Sequence, residues 1–136
     1  VFRTDHVRWG DAYWVHVRAL EANLAFGEVH AELVSQGFML HKFLHTIMLP
    51  LRPRMPVEDA PTLPGCQVVD GDAVYIRDVR DPASLSARTL RSLALMAATV
   101  FDSPGLAIRM LEELTARGEV QATVVTDYLA GLTSGA

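Results

Sequence analysis

The sequence has one cysteine and no excess of positive charge, and each shortage excludes a class of protein. Cys66 is the single cysteine among 136 residues, so neither an internal disulfide nor a zinc site built on several cysteines is available. The formal net charge is −4, whereas proteins that bind a nucleic-acid backbone usually carry a basic face. We therefore expect no nucleic-acid partner.

Long apolar runs are also missing. The most apolar stretch, LALMAATVF at residues 93–101, has about half of the ~20 residues that a helix needs to cross a bilayer. No secretory-signal pattern is visible, so the sequence predicts a cytoplasmic protein with no membrane partner. Half of the residues are hydrophobic, which is enough for a domain of this length to bury a core. The chain starts at Val1 rather than at methionine, which leaves open that it is part of something longer.

The first 80 residues predict a partial α/β sheet. Residues 12–20 alternate and are rich in aromatic and β-branched side chains, which is typical of a strand. Residues 26–36 carry apolar side chains at helical spacing, and Gly37 follows where a helix end favours a left-handed residue. Residues 38–44 are predicted to be a second strand, so that the helix crosses over between two strands.

The acidic pair in DGD at residues 70–72 has two interpretations. Two carboxylates can hold a divalent cation against a diphosphate, as a glycosyltransferase does. However, no nucleotide-binding sheet precedes the pair, and Asp-Gly is a common turn dipeptide. After a proline-rich loop at residues 50–64, we therefore predict that Asp70-Gly71 is a tight turn between short antiparallel strands at residues 66–69 and 73–77.

Residues 81–136 predict a C-terminal helical hairpin or triplet packed on that sheet. Ser84 or Ser86 is a candidate N-cap for a first helix, and Ser103-Pro104 provides a cap and a first-turn proline for a second. A third helix is predicted at about residues 119–132. The first helix has one apolar stripe through four turns. The stripe consists of Leu90, Leu93, Ala94, Ala97, Val100 and Phe101.

The histidines do not predict a metal site. His41 and His45 in HKFLH are four residues apart, the spacing of two zinc ligands on a helix, but Lys42 stands where zinc hydrolases have a glutamate. On the predicted strand the two rings are too far apart to chelate one ion easily. His6, His16 and His30 have no ligand-like spacing. We therefore predict no metal-binding residue, and the catalytic residues are unknown.

Three stretches of the sequence resemble a known family. LAFGEVHAELVSQGFMLHKFL at residues 24–44, GDAVYIRDVRDPASLS at 71–86 and LRSLALMAATVFDSPGLAIRMLEELTARG at 90–118 together resemble the C-terminal region of FkbM-family S-adenosylmethionine-dependent methyltransferases. The resemblance implies the C-terminal half of a class I, Rossmann-like sheet whose last strand is inserted antiparallel. It also implies O-methyl transfer from S-adenosylmethionine to a hydroxyl of a small molecule or glycan.

The chain departs from this family in the cofactor-binding half. Such a fold binds its cofactor with a glycine-rich turn after the first strand and an acidic residue after the second. The glycines of this sequence are scattered singly and build no such turn. We therefore predict no cofactor-binding residue, an inactive C-terminal fragment, and no S-adenosylmethionine bound to this chain alone.

Two further expectations follow. The acceptor of the complete enzyme would be a small molecule or a glycan. A sheet that lacks its first strands would expose an apolar edge, which predicts possible self-association through that edge. The alternative function is a stand-alone, non-catalytic protein-interaction module derived from a methyltransferase tail.

Overall fold

The computed structural model describes residues 6–9, 11–18, 26–51 and 64–134. The chain divides into two compact units. The sheet unit comprises Val1–Trp9 and Tyr13–Tyr75, and the helical unit comprises Gly10–Ala12 and Ile76–Ala136. The predicted α/β class is confirmed.

Four strands form one sheet in the order β1-β2-β4-β3. They are β1 (His6–Trp9), β2 (Ala12–Arg18), β3 (Phe38–Leu49) and β4 (Gln67–Arg77). Arg77 N–H donates to the Asp11 carbonyl at one end of β4 (3.0 Å), and Cys66 N–H donates to the Leu49 carbonyl at the other (3.0 Å). Residue numbers therefore rise along β4 as they fall along β2 and β3, so β4 is antiparallel to both of its neighbours. β2 and β3 are consequently parallel to each other.

The helix α1 (Phe26–Ser35) connects β2 to β3 and packs on one face of the sheet. Its Leu33 joins a buried cluster with Val15 of β2, Phe38 of β3, and Ala73 and Tyr75 of β4. Tyr13 meets the Phe38 ring edge-on, with 4.8 Å between the ring centroids. Gly37 ends the helix with a φ of 81°, as the sequence predicted.

The predicted turn at Asp70-Gly71 is wrong, because β4 runs through both residues without a break. The strand is flanked by β2 and β3, so its backbone groups are engaged in sheet hydrogen bonds on both sides. A tight hairpin turn would need a positive φ, and among the described glycines only Gly37 and Gly118 have one. A close approach instead favours glycine at position 71, since a Cβ there would lie 3.0 Å from the His45 carbonyl oxygen. The proline-rich loop falls mostly on residues 52–63, which lie outside the described residues.

The helical unit contains α2 (Ala87–Thr99), α3 (Pro104–Ala116) and α4 (Val124–Ser134), preceded by a 3₁₀ turn at Pro82–Ser84. Ser86 is the N-cap of α2, and its hydroxyl oxygen accepts from Thr89 N–H at 3.1 Å. Pro104 begins α3 as predicted. Ser103 occupies the N-cap position of α3, but its hydroxyl donates to the Phe101 carbonyl (3.1 Å) instead of capping the helix.

The apolar stripe of α2 packs against α3, as its spacing predicts. The buried apolar residues of α2, of α3 and of the turn between them are Leu90, Leu93, Ala94, Met96, Ala97, Phe101, Ala107, Met110 and Leu114. The third helix begins at Val124, later than the predicted residue 119. Glu119 is engaged elsewhere, because Arg91 donates to both its carboxylate and its carbonyl oxygen. None of the helices that the structure describes is long and apolar enough to cross a membrane.

Candidate functional site

His16 lies between two carboxylates, and this cluster is the candidate site. Its Nδ1 is 2.7 Å from Asp72 Oδ1, and its Nε2 is 3.1 Å from Asp70 Oδ1. Alternation along β4 points Asp70 and Asp72 to the same face, and His16 reaches them from the neighbouring strand β2. This face is opposite the one that α1 covers, because Ala73 and Tyr75 point toward α1.

The strand directions show which end of the sheet this cluster is nearer to. His16 is two residues from the carboxyl end of β2, Asp70 is three residues from the amino end of the antiparallel strand β4, and Asp72 is at the middle of β4. That end of the sheet is therefore the carboxyl end of the two parallel strands, β2 and β3. Ligands of open α/β sheets collect in the crevice beyond the carboxyl ends of the strands.

The geometry of the cluster determines which form of the His16 ring can donate hydrogen bonds to both carboxylates. A neutral imidazole has one N–H and can donate to one carboxylate only, whereas the imidazolium donates to both. The side chain of His16 is 32% exposed and that of each partner carboxylate is 23% exposed, so a ligand can reach them. A ligand hydroxyl that donates to Asp70 or Asp72 would compete with His16 for that carboxylate.

The second histidine with a long-range partner is His30, on the α1 side of the sheet. Its Nδ1 is 3.3 Å from the hydroxyl of Tyr75, whose side chain is completely buried. Burial raises the pKa of Tyr75. A buried tyrosine hydroxyl normally requires a hydrogen-bonding partner, so His30 is explained by this structural role.

His41 lies on β3 within the predicted strand at residues 38–44, and His45 lies on β3 because this strand continues to Leu49, beyond the predicted end. Four residues of extended strand separate their Cα atoms by roughly 13 Å, too far for one ion. Burial, with a smaller contribution from the charge of Lys42, lowers the pKa of His41. Among the residues that the structure describes, no group of three or more metal-ligating side chains could hold a metal ion.

The charged residues that follow β4 form local ion pairs. Arg80 donates to both carboxylate oxygens of Asp78 through Nε, at 2.9 Å each, and its backbone N–H donates to Oδ1 at 3.0 Å. These hydrogen bonds lower the pKa of Asp78 to about 2. Arg77 Nε lies 3.7 Å from Asp11 Oδ1. Local ion pairs therefore account for these charged side chains.

An apolar cavity of about 280 Å³ lies within the helical unit. Its walls come from α2 and α3, with Val120 and Tyr128 at the α4 side. No residue of α4 is buried. Its volume is just below the roughly 300–1,000 Å³ of pockets that enclose small-molecule ligands.

The sequence indicates two members of the cluster but not the third. Asp70 and Asp72 form a possible carboxylate pair, although a turn is predicted there, whereas His16 has no ligand-like spacing. Alternation along residues 12–20 does put His16 on a defined face. Its partners are 54 and 56 residues away, so only the pairing of β2 with β4 brings the three together.

Comparisons with known proteins give no relative: no family model matches the chain, and neither the curated proteins nor the solved structures yield a significant match.

Proposed function

We propose that the chain is the acceptor-side, C-terminal part of an FkbM-like O-methyltransferase. One observation carries the proposal: β4 lies between the parallel strands β2 and β3 and is antiparallel to both. This is the arrangement that the family resemblance implies for the last strand of the sheet. The order of elements, with a helix between β2 and β3 and a helical pair after β4, agrees with the same proposal.

The candidate site suits the acceptor side of this reaction. Transfer of a methyl group to a hydroxyl requires groups that hold the hydroxyl and take its proton. Asp70 and Asp72 can accept hydrogen bonds from hydroxyls of a small molecule or a glycan, and a ring nitrogen of His16 released by such a ligand could accept a proton. The cluster lies near the carboxyl end of β2, on the side of the sheet toward which β2 and β3 both run.

The residues of this chain do not fit the cofactor. Residues 19–25, which follow β2, contain no glycine, and β3 is followed by Pro50, so no glycine-rich turn is available for the backbone to approach a bound nucleoside. We therefore expect the chain alone not to bind S-adenosylmethionine. Isothermal titration calorimetry that gave a micromolar dissociation constant would contradict this expectation.

The methyltransferase proposal itself is tested by the coding sequence upstream of the Val1 codon. An open frame that encodes several strands and a glycine-rich turn after the first would support it, and the encoded protein should then transfer radiolabelled methyl groups from S-adenosylmethionine. β1 lies beside β2, so upstream strands would continue the sheet from β1 or displace it. A start or stop codon directly upstream would overturn the proposal.

A second candidate function is the non-catalytic interaction module, and one observation favours it. Ile47, Met48 and Leu49 at the end of β3 are each more than two-fifths exposed. If the upstream sequence encodes no cofactor-binding half, and if a protein that binds this strand specifically is found, the interaction module is favoured over the methyltransferase. Localisation in the cytoplasm remains a prediction under both proposals.

A further inference from the structure

The last part of β3 and the segment paired with it form an uncharged apolar ribbon. Residues 46–51 (TIMLPL) and residues 64–69 (PGCQVV) contain no acidic or basic side chain. The exposed apolar side chains of this ribbon are Ile47, Met48, Leu49, Leu51 and Val68, which are 41–65% exposed. Three of them are consecutive on β3, and side chains alternate between faces, so both faces of the strand end are uncovered.

β3 is also the last strand in the sheet order. Among the described residues, no strand lies beyond it, so its outer side is an edge. Proteins usually protect such an edge with charged residues, proline or a bulge, because an exposed apolar edge pairs with other chains. The lysine of this strand, Lys42, lies toward its other end, and Pro50 comes only after its last residue.

We propose that two copies of this chain associate by pairing their β3 edges antiparallel about a two-fold axis near Ile47. The two sheets would then form one continuous sheet. Residues 45–49 are the part of β3 that is symmetric about Ile47, and His45 is their sole titratable side chain. In this register His45 is opposite Leu49 of the second copy, so no charged side chains face each other within the paired segment.

The chemistry of the edge favours a second copy over another partner. A two-fold interface uses the same patch on both chains and must therefore be complementary to itself. An uncharged apolar strand meets this condition, since like charges opposite each other would destabilise the pair. A different protein would be expected to select this edge through complementary charges, and this ribbon has none to offer.

The area of the contact limits its strength. Stable interfaces bury about 800 Å² on each partner, and a single pair of short strand segments is at or below that size. We therefore expect a reversible dimer with a dissociation constant of roughly 1–100 µM. The inference does not depend on methyl transfer, since it rests on the edge strand alone.

The first test is sedimentation velocity over a concentration series that brackets this range. Wild-type protein should shift from monomer to dimer, and Ile47→Lys should stay monomeric throughout, because two lysines would face each other at the axis. Val34→Lys is the matched control, since Val34 is an exposed apolar residue of α1 (47%) in the same unit, and it should dimerise like wild type. A wild-type protein that stays monomeric, or a loss of association in both variants, would overturn the proposal.

The second test needs no substitution and therefore holds even if Ile47→Lys fails to fold. Cys66 is the single cysteine and is exposed, so one spin label can be attached there. Three strand spacings across the joined sheet and about four residues along it put the two Cys66 Cα atoms ~20 Å apart. Double electron–electron resonance should give a label distance of about 15–30 Å, allowing for the label arms. A dimer whose distance lies well beyond that range would use another surface and would refute the β3 pairing.

Discussion

The guanidinium of Arg117 connects the end of α3 to the turn before α2, and its loss should measurably destabilise the helical unit. Nη2 donates to the carbonyl oxygens of Pro82 and Ala83 at 2.9 Å each, and Nη1 donates to that of Leu85 at 2.7 Å. Nε donates to Glu113 at 2.8 Å. One side chain therefore contacts three carbonyl groups of a short turn, of which that of Pro82 also accepts from Leu85 N–H at 3.1 Å.

The cost of Arg117→Ala follows from how well water can replace each bond. A hydrogen bond to a charged group contributes about 1.5–3 kcal/mol when water cannot compensate. The Ala83 and Leu85 carbonyl contacts are exposed and can be rehydrated, whereas the Pro82 contact is partly buried. The ion pair with Glu113 adds only about 0.3–0.5 kcal/mol. We expect a loss of about 2 kcal/mol.

Urea denaturation followed by circular dichroism at 222 nm measures this loss. Arg117→Lys keeps the charge but not the planar fork that reaches several carbonyls. It should therefore lose about half of the free energy of unfolding that Arg117→Ala loses. Arg109→Ala is the matched control on the same helix, since Arg109 Nη1 is 3.8 Å from Glu112 and the pair is more than half exposed; it should cost less than ~0.5 kcal/mol. Equal stability of the two alanine variants would refute the reasoning.

Three further predictions concern single side chains. Arg80→Ala should raise the pKa of Asp78 from about 2 toward 3.8, as followed by carbon NMR of the carboxyl group; because the folded pKa is lowered, the stability from this pair is present above pH ~4 and lost as the pH falls toward 2. His16→Leu should cost about 1 kcal/mol, because two carboxylates on one face lose the group between them; urea melts measure this cost, and a variant as stable as wild type would contradict it. Leu114→Ala should cost about 3 kcal/mol, since this side chain is 1% exposed, while Leu95→Ala on the exposed side of α2 should leave the urea midpoint nearly unchanged.

The helices of this chain were predictable because their signals are local. The apolar spacing of α2, its Ser86 cap and the first-turn proline of α3 each act within a few residues. The same is true of Gly37, whose positive φ ends α1. Each of these signals acts within one segment, so contacts with distant parts of the chain seldom change the helix that it predicts.

The strands show where local signals fail. Asp-Gly favours a turn when a segment is taken alone, but residues 70 and 71 are held between β2 and β3, and the hydrogen bonds of two neighbours outweigh a dipeptide preference. The segment before α4 also makes a long-range contact, since Arg91 donates to Glu119 from 28 residues away. The His16 cluster depends on the same long-range pairing, so the sequence contained its members but not their proximity.

The methyltransferase proposal and the dimer proposal concern opposite edges of the sheet, so separate variants can test them. Further strands of a methyltransferase would be added beyond β1, whereas the second copy pairs with β3, at the other end of the order β1-β2-β4-β3. The candidate site lies between them, on β2 and β4. Ile47→Lys should therefore abolish dimers without changing methyl transfer by a complete enzyme, and Asp72→Asn should weaken transfer without changing dimers. If Ile47→Lys impaired transfer at concentrations where the protein is already monomeric, the β3 strand would belong to the acceptor site rather than to an interface between copies.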